Sequence, residues 1–127
     1  MHGTDKLLDS NILIYLSKKQ LKLSSFSKPG DKLSISVITY MEVLGYPFTS
    51  QREEKLIKSI CDSLQVVFID QKIVNEVIRI RKSAKIKLPD AIIAASAIVN
   101  HSELITNNTA DFIIPGNQLK IINPFDG

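Results

Sequence analysis

The fold is decided by residues 7–16, LLDSNILIYL, where a short apolar strand ends at an acidic residue and a helix begins. Asp9 stands at the junction, and the polar side chains of Ser10 and Asn11 follow it. An Asp in front of a helix is a common N-cap. A carboxylate at the end of a buried strand, however, loses much of its hydration and needs polar partners. We therefore interpret Asp9 as a residue of a polar site, and not only as a helix cap.

The alternation of short apolar strands with helices continues along the chain. Further strands are predicted at residues 32–36, 66–69, 104–106 and 120–122, and helices at residues 37–46, 50–64, 70–84 and from Pro89 onward. Residues 18–32 are rich in Ser and Lys and form either a helix or a loop. Short, continuously apolar strands between helices are typical of an α/β domain with a mainly parallel sheet. The sequence thus predicts a single domain over residues 1–127, with residues 1–4 as a poorly ordered leader.

The composition is that of an ordinary globular protein. Of the 127 residues, 44% are hydrophobic and 23% are charged, which is enough apolar surface for a genuine core. The longest apolar stretch, residues 91–99, is too short to span a bilayer, and residues 1–9 lack the regions of a secretion signal. Cys61 is the single cysteine and lies in a helix-like run. We expect it to be a core residue of a protein in the reducing cytoplasm.

Four acidic residues lie at or near the turns of the strand–helix pattern, each with apolar neighbours: Asp9, Glu42, Asp90 and Asp111. Ligand sites in parallel α/β domains lie outside the carboxyl ends of the strands. Carboxylates crowded into one pocket there repel one another unless a cation neutralises them. Mg²⁺ and Mn²⁺ prefer such oxygen ligands. The pattern therefore predicts a divalent-metal site and metal-assisted chemistry on phosphate.

Each of these acids also has a simpler explanation. Asp90 lies in the first turn of a helix, where the helix dipole favours a negative charge. Asp111 lies in a turn-rich loop, where Asp is common. Glu42 is harder to explain in this way, because its helix places Ile38 and Tyr46 one turn to either side and an acid on a partly apolar face needs a partner. The four acids together support the metal site more strongly than any one of them alone.

The charge distribution is consistent with a polyanionic substrate. The chain carries 16 Lys and Arg against 13 Asp and Glu, so a basic surface surrounds the acidic site once its four acids are set aside. The alternative, that this charge only keeps the protein soluble, stays open. No zinc-type Cys/His spacing, GxGxxG or Walker A motif occurs, and His2 and His101 have no partners at ligand spacing.

Four motifs, in this order along the chain, resemble those of the PIN-domain ribonucleases, and among these the toxins of VapBC-type toxin–antitoxin pairs. The motifs are LLDSNILIYL, SVITYMEVLGY, KLPDAIIAASAI and LITNNTADF. They carry Asp9, Ser10 and Asn11, then Glu42, then Asp90, and finally Thr106, Asn108 and Asp111. Many PIN nucleases have an Asp where this chain has Asn108, so the fourth acid is either Asp111 or absent.

The resemblance implies a PIN-like α/β/α sandwich and an endoribonuclease that depends on Mg²⁺ or Mn²⁺. Asp9 and Asp90 would then bind the ion most directly, Glu42 would act through a water as ligand or general base, and Asp111 would complete the acidic ring. Ser10, Asn11 and Thr106 would orient these groups by hydrogen bonds. The partners implied are an RNA substrate, a cognate VapB-type antitoxin whose segment plugs the acidic groove, and a second copy of the chain in a homodimer, with no membrane.

The densest basic stretch is RIRKSAKIKL, at residues 79–88, and it is the best candidate for contacts with RNA phosphates. Its charged residues are Arg79, Arg81, Lys82, Lys85 and Lys87. A solvated helix face would explain the same stretch.

Two other functions fit the sequence. A PIN-like scaffold or RNA-binding module with weakened catalysis is favoured by Asn108, which cannot supply the charge of an Asp. A metal-dependent DNA nuclease is the other, because phosphodiester chemistry does not distinguish the sugar.

Overall fold

The computed structural model describes residues 3–116 and 118–126. Its strands are β1 (Asp5–Leu8), β2 (Lys32–Ser36), β3 (Gln65–Val67), β4 (Glu103–Ile105) and β5 (Ile121–Ile122). Its helices are α1 (Ser10–Ser17), α2 (Val37–Leu44), α3 (Gln51–Asp62), α4 (Gln71–Ser83) and α5 (Leu88–Val99). Short 3-10 helices cover Leu23–Ser25 and Thr109–Phe112. The sequence left residues 18–32 open between a helix and a loop; in the structure residues 18–31 form a loop with one 3-10 turn, and Lys32 begins β2.

The five strands form one parallel sheet in the order β3-β2-β1-β4-β5. This confirms the predicted α/β class. The chain moves outward from β1 through β2 to β3, and then returns to the other side of β1 as β4. The strand order thus reverses between β1 and β4, and the crevice at such a point is where open α/β sheets bind ligands.

Both faces of the sheet are buried, because successive strand residues point to opposite sides. Leu7 and Leu104 pack with α4 and α5, whereas their neighbours Leu8 and Ile105 pack with α1, α2 and α3. Cys61 lies in the second of these cores, as predicted. The continuous apolar runs of the strands are thereby explained by helices on both faces, which is the α/β/α sandwich that the resemblance implied.

Several helix ends follow the local chemistry of the sequence. The side chain of Ser50 accepts a hydrogen bond from the backbone N–H of Glu53, and that of Asp70 accepts one from Ile73, so both act as N-caps. Helix α2 ends at Leu44 instead of residue 46, because Gly45 is its C-cap. Of these three helices, α2 carries a residue of the predicted site, Glu42.

The predicted strand at residues 66–69 is wrong at its end. Strand β3 stops at Val67, and the side chains of Phe68 and Ile69 are exposed. β3 is an edge strand that pairs only with β2, and β2 ends at Ser36 opposite Val67, so Phe68 and Ile69 have no strand residue to pair with.

Residues 1 and 2 of the predicted leader, residues 1–4, lie outside the described residues. Thr4 is tied to the loop before β2, because its backbone N–H donates to the carboxylate of Asp31. Within residues 3–116 and 118–126, no helix has the length and apolar character needed to cross a membrane.

Candidate active site

Asp9 lies at the carboxyl end of β1, at the point where the strand order reverses. Its backbone N–H donates to the carbonyl of Ile105 at 3.0 Å, which extends the pairing of β1 with β4 by one residue. Its side chain is 6% exposed and caps α1 by accepting the backbone N–H of Ser10 at 2.8 Å. Both interpretations of Asp9 therefore hold: it is a helix cap, and it belongs to a polar site.

Two further side chains hold the other oxygen of this carboxylate. Asp9 Oδ2 accepts from Thr106 Oγ1 at 2.7 Å and from Asn11 Nδ2 at 2.9 Å. Thr106 is fully buried directly after β4. Its hydroxyl in turn accepts from Asn11 Nδ2 at 3.3 Å and from the backbone N–H of Asn108 at 3.0 Å. Asn11 and Thr106, predicted as supporting polar residues, thus fix the orientation of the Asp9 side chain.

The pKa of Asp9 is raised above its ordinary value of 3.8, chiefly because burial disfavours the charged form. Hydrogen bonds from Thr106, Ser10 and Asn11 oppose this shift, and the negative charge of Asp111 adds to it. A buried carboxylate with several donors and a like-charged neighbour is a group that a cation would stabilise.

Asp90 lies in the first turn of α5 and is half-buried. Its carboxylate accepts no hydrogen bond within the part of the chain that the structure describes. Its pKa is also raised, first by burial and then by the charges of Asp111, Asp9 and Glu42, while Lys87 opposes the shift. The other three predicted acids therefore lie close enough to Asp90 to act on its charge, although the four come from separate segments of the chain.

Glu42 is exposed on α2, so the partly apolar helix face does not bury it. The partner that the sequence required is Ser10, whose hydroxyl donates to Glu42 Oε1 at 3.2 Å. Ser10 thereby connects the start of α1, where Asp9 lies, to α2. The contact leaves most of the Glu42 carboxylate open to solvent and to a ligand.

Asp111 and Asn108 lie on the same 3-10 turn, and the structure places them differently with respect to the other acids. Asp111 raises the pKa of both Asp9 and Asp90. Asn108 is the N-cap of the turn, yet its side chain makes no capping hydrogen bond. The backbone N–H of Asn108 contacts Thr106, but the residue that brings a negative charge to the cluster is Asp111.

The donor set fits a hard divalent cation that keeps most of its water. Among residues 3–116 and 118–126, no three His, Cys, Asp or Glu side chains converge closely enough to form a metal cage by themselves. The cluster offers only carboxylate, hydroxyl and amide oxygens. Mg²⁺ is usually bound by one or two carboxylates with several retained waters, and Mn²⁺ also suits oxygen ligands. A buried Asp9 and an open Asp90 match that arrangement better than a closed protein cage.

The basic stretch divides into two parts. Arg79 is engaged, since its guanidinium contacts Glu76 and donates to Gln118 Oε1 at 2.7 Å. The other four side chains are exposed and form no ion pair with any residue that the structure describes: Arg81, Lys82, Lys85 and Lys87. Arg79 is thus the least available of the predicted phosphate contacts.

Sequence reasoning missed two polar residues near the site. Asn107 donates its backbone N–H to Asn11 Oδ1 at 3.1 Å and its side-chain amide to the Tyr15 hydroxyl at 3.2 Å, which ties the end of β4 to α1. Its position directly after a buried strand was the available signal. Thr39, one turn before Glu42, is fully buried, and its hydroxyl has no hydrogen-bond partner in the described part of the chain.

Comparison with known proteins places this geometry in a family. The family model described as PIN domain matches residues 6–113, which include all four acids. A curated relative, ribonuclease VapC1 of Haemophilus influenzae strain R2866, is 31% identical over 118 residues, covering 84% of this chain and 88% of the relative. The relative from strain ATCC 51907 is 30% identical, with the same coverage.

Solved structures give the same assignment. A toxin–antitoxin complex from Klebsiella pneumoniae contains a chain that is 35% identical, with a TM-score of 0.74, covering 94% of this chain and 98% of that one. The structure of VapBC-1 from nontypeable Haemophilus influenzae matches with 26% identity and a TM-score of 0.73, covering 95% of this chain and 98% of that one. The chain therefore belongs to the PIN-domain family and, within it, to the VapC group.

Proposed function

We infer that this protein is an endoribonuclease and the toxin component of a VapBC-type toxin–antitoxin pair. The observation that carries the inference is that Asp9 lies buried at the carboxyl end of β1, where the strand order reverses, and that the neighbouring Ser10 is hydrogen-bonded to Glu42. The negative charges of Asp111, Asp9 and Glu42 all raise the pKa of Asp90 at the same site. The names of the relatives, ribonuclease VapC1 and toxin–antitoxin complex, support the same function. An enzyme that cleaves cellular RNA would act in the cytoplasm.

The four acidic residues would contribute unequally to the binding of Mg²⁺ or Mn²⁺. Asp9 and Asp90 would contact the ion most directly, because burial and mutual repulsion make their charged forms the most in need of a cation. Asp111 would complete the ring. When bound, the ion would supply Lewis-acid activation of water and of the phosphodiester.

The surrounding polar residues have distinct tasks in this proposal. Thr106 and Asn11 hold the Asp9 carboxylate in one orientation, so its position does not depend on a bound ligand. Ser10 holds one oxygen of Glu42 and leaves the other free. Glu42 would act through a water, as a ligand or as the general base that removes the proton of the attacking water.

Cleavage assays on RNA and DNA, with and without a chelator, test this function. We expect cleavage of RNA that EDTA abolishes and added Mg²⁺ or Mn²⁺ restores. Asp9→Asn should abolish cleavage. The matched control is Asp70→Asn, which should leave cleavage unchanged: Asp70 is also an N-cap aspartate, but it caps α4, which carries none of the four acids. Full RNase activity in Asp9→Asn would overturn the metal assignment. Cleavage of DNA alone would favour the DNA nuclease, and binding of RNA without any cleavage would favour the scaffold.

The proposed antitoxin partner would inhibit through the same carboxylates. A guanidinium can neutralise a carboxylate cluster and bond to it bidentately in place of an ion. A VapB-type antitoxin should therefore insert a basic side chain, an Arg, among Asp9, Glu42 and Asp90. Inhibition should weaken as Mg²⁺ or Mn²⁺ is added. Expression of the chain alone should arrest growth, and Asp9→Ala should relieve the arrest; a harmless wild-type chain would contradict the toxin assignment.

A further inference from the structure

An open cleft of about 460 Å³ lies between the end of α4 and the segment that begins in the second 3-10 helix, and Asp111 of the acidic cluster lines it. One wall is formed by Ser83, the last residue of α4, and by Lys85 of the linker that follows, and the other by Asp111, Ile113 and Pro115. Its volume lies within the range of small-ligand sites, about 300–1,000 Å³. Asp111 belongs to both the cleft and the acidic cluster, so a ligand in the cleft would reach the site of phosphodiester chemistry.

The cationic wall of the cleft is available to a polyanion. Lys85 and Lys87 are exposed and form no ion pair with any described residue, and Arg81 and Lys82 precede them at the end of α4. Lys87 acts on the Asp90 carboxylate, since it opposes the rise in that pKa. The positive charge therefore runs along the linker from α4 to the edge of the acidic cluster. A polyanionic strand that followed it would bring a phosphate to the carboxylates.

The opposite wall offers one apolar side chain that the fold itself does not use. Ile113 is 76% exposed, although Phe112 before it is buried. Pro115 continues the same wall, whereas Ile114 between them is partly buried against the core. Unpaired bases of single-stranded RNA usually stack on aromatic side chains while cationic groups contact the phosphates. An exposed aliphatic side chain can cover a base face by apolar contact instead. An apolar wall facing a lysine suits one nucleotide, with its base on Ile113 and its phosphate at Lys85.

We propose that this cleft binds the nucleotide next to the scissile phosphate of a single-stranded RNA, with Lys85 at the phosphate and Ile113 against the base. The proposal rests on the proposed endoribonuclease function and adds the path of the substrate to it. The alternative occupant is a segment of a protein partner, and in that case substitutions in the cleft would leave RNA binding unchanged.

The test measures binding separately from cleavage. The affinity of a fluorescein-labelled single-stranded RNA octamer is measured by anisotropy in EDTA, where no cleavage is expected, over a series of salt concentrations. Lys85→Gln should weaken binding about fivefold and reduce the slope of log affinity against log salt by about 0.7, because one phosphate contact is lost. Ile113→Ser should weaken binding by a similar factor and leave the salt slope unchanged. Lys85→Arg should restore both quantities.

The matched controls are Lys72→Gln and Phe68→Ser. Lys72 is an exposed lysine of the first turn of α4, and Phe68 is an exposed apolar residue at the opposite edge of the sheet. Both controls should change the affinity by less than about twofold. If Lys85→Gln and Ile113→Ser bind RNA as well as the controls do, the cleft is not a nucleotide site and the proposal is overturned. A cleft that binds a segment of a protein partner would give this same result. Cleavage of RNA by the wild-type protein would still stand in that case, so the two proposals fail separately.

Discussion

Thr106→Val should lower stability in a way that depends on pH, because the Thr106 hydroxyl donates to the buried carboxylate of Asp9 at 2.7 Å. A hydrogen bond to a charged group contributes about 1.5–3 kcal/mol. Asp9 keeps its bond from Asn11 at 2.9 Å, and Asn108 is exposed, so water can replace the acceptor that its N–H loses. We therefore expect a loss of about 2 kcal/mol at neutral pH, or roughly 8 °C in Tm for a chain of this length.

The pH dependence follows from the direction of the Asp9 pKa. The folded-state pKa lies above the ordinary 3.8, so Asp9 takes up its proton more readily in the folded protein, and stability is lost as pH rises from 3.8 through the folded pKa. The Thr106 hydrogen bond limits this loss, because it favours the charged form. In Thr106→Val the pKa should rise further. The destabilisation should then fall to about 1 kcal/mol under acidic conditions, where only a neutral hydrogen bond is lost.

Urea unfolding followed by circular dichroism, in EDTA from about pH 8 to about pH 4, measures both quantities. Thr106→Ser is the control, since it keeps the hydroxyl and removes one buried methyl group. It should cost about 0.8 kcal/mol at every pH. Equal losses for Thr106→Val at both ends of the pH range would refute the hydrogen-bond argument. A Ser variant with the pH profile of the Val variant would refute it as well.

Three further predictions concern single side chains. Asp90→Asn should abolish RNA cleavage and raise the free energy of unfolding by up to about 1 kcal/mol, because it relieves repulsion and removes no hydrogen bond to a described residue; a less stable variant in urea unfolding would contradict this. Asp111→Ala should weaken Mn²⁺ affinity more than Asn108→Ala, and a titration with the reverse order would identify Asn108 as the fourth ligand position. Thr39→Val should raise stability by about 1 kcal/mol in urea unfolding, because it removes a buried hydroxyl without a described partner; a loss of stability would show that the hydroxyl is satisfied.

The strands, the helices and the α/β class can be predicted from the amino-acid sequence, because they depend on local chemistry. Leu7 and Leu8 are adjacent apolar residues in a short strand, and that pattern requires a core on both faces of a sheet. Ser50 and Asp70 fix the starts of two helices through contacts with residues three positions away. The order of the motifs along the chain is also a local property, and it is sufficient to predict Asp9, Glu42, Asp90 and Asp111 as the residues of the site.

The contacts between these residues depend on the tertiary structure. The bond between Asp9 and Thr106 joins residues 97 positions apart, and it exists because β1 and β4 lie side by side in a parallel register. Asp111 lies near enough to raise the pKa of Asp9 and Asp90, and this depends on how the 3-10 turn packs against α5. The availability of Lys85, in contrast to Arg79, depends on which neighbours the fold supplies. Local patterns cannot encode such relations, because their energies arise only between segments that the sheet brings together.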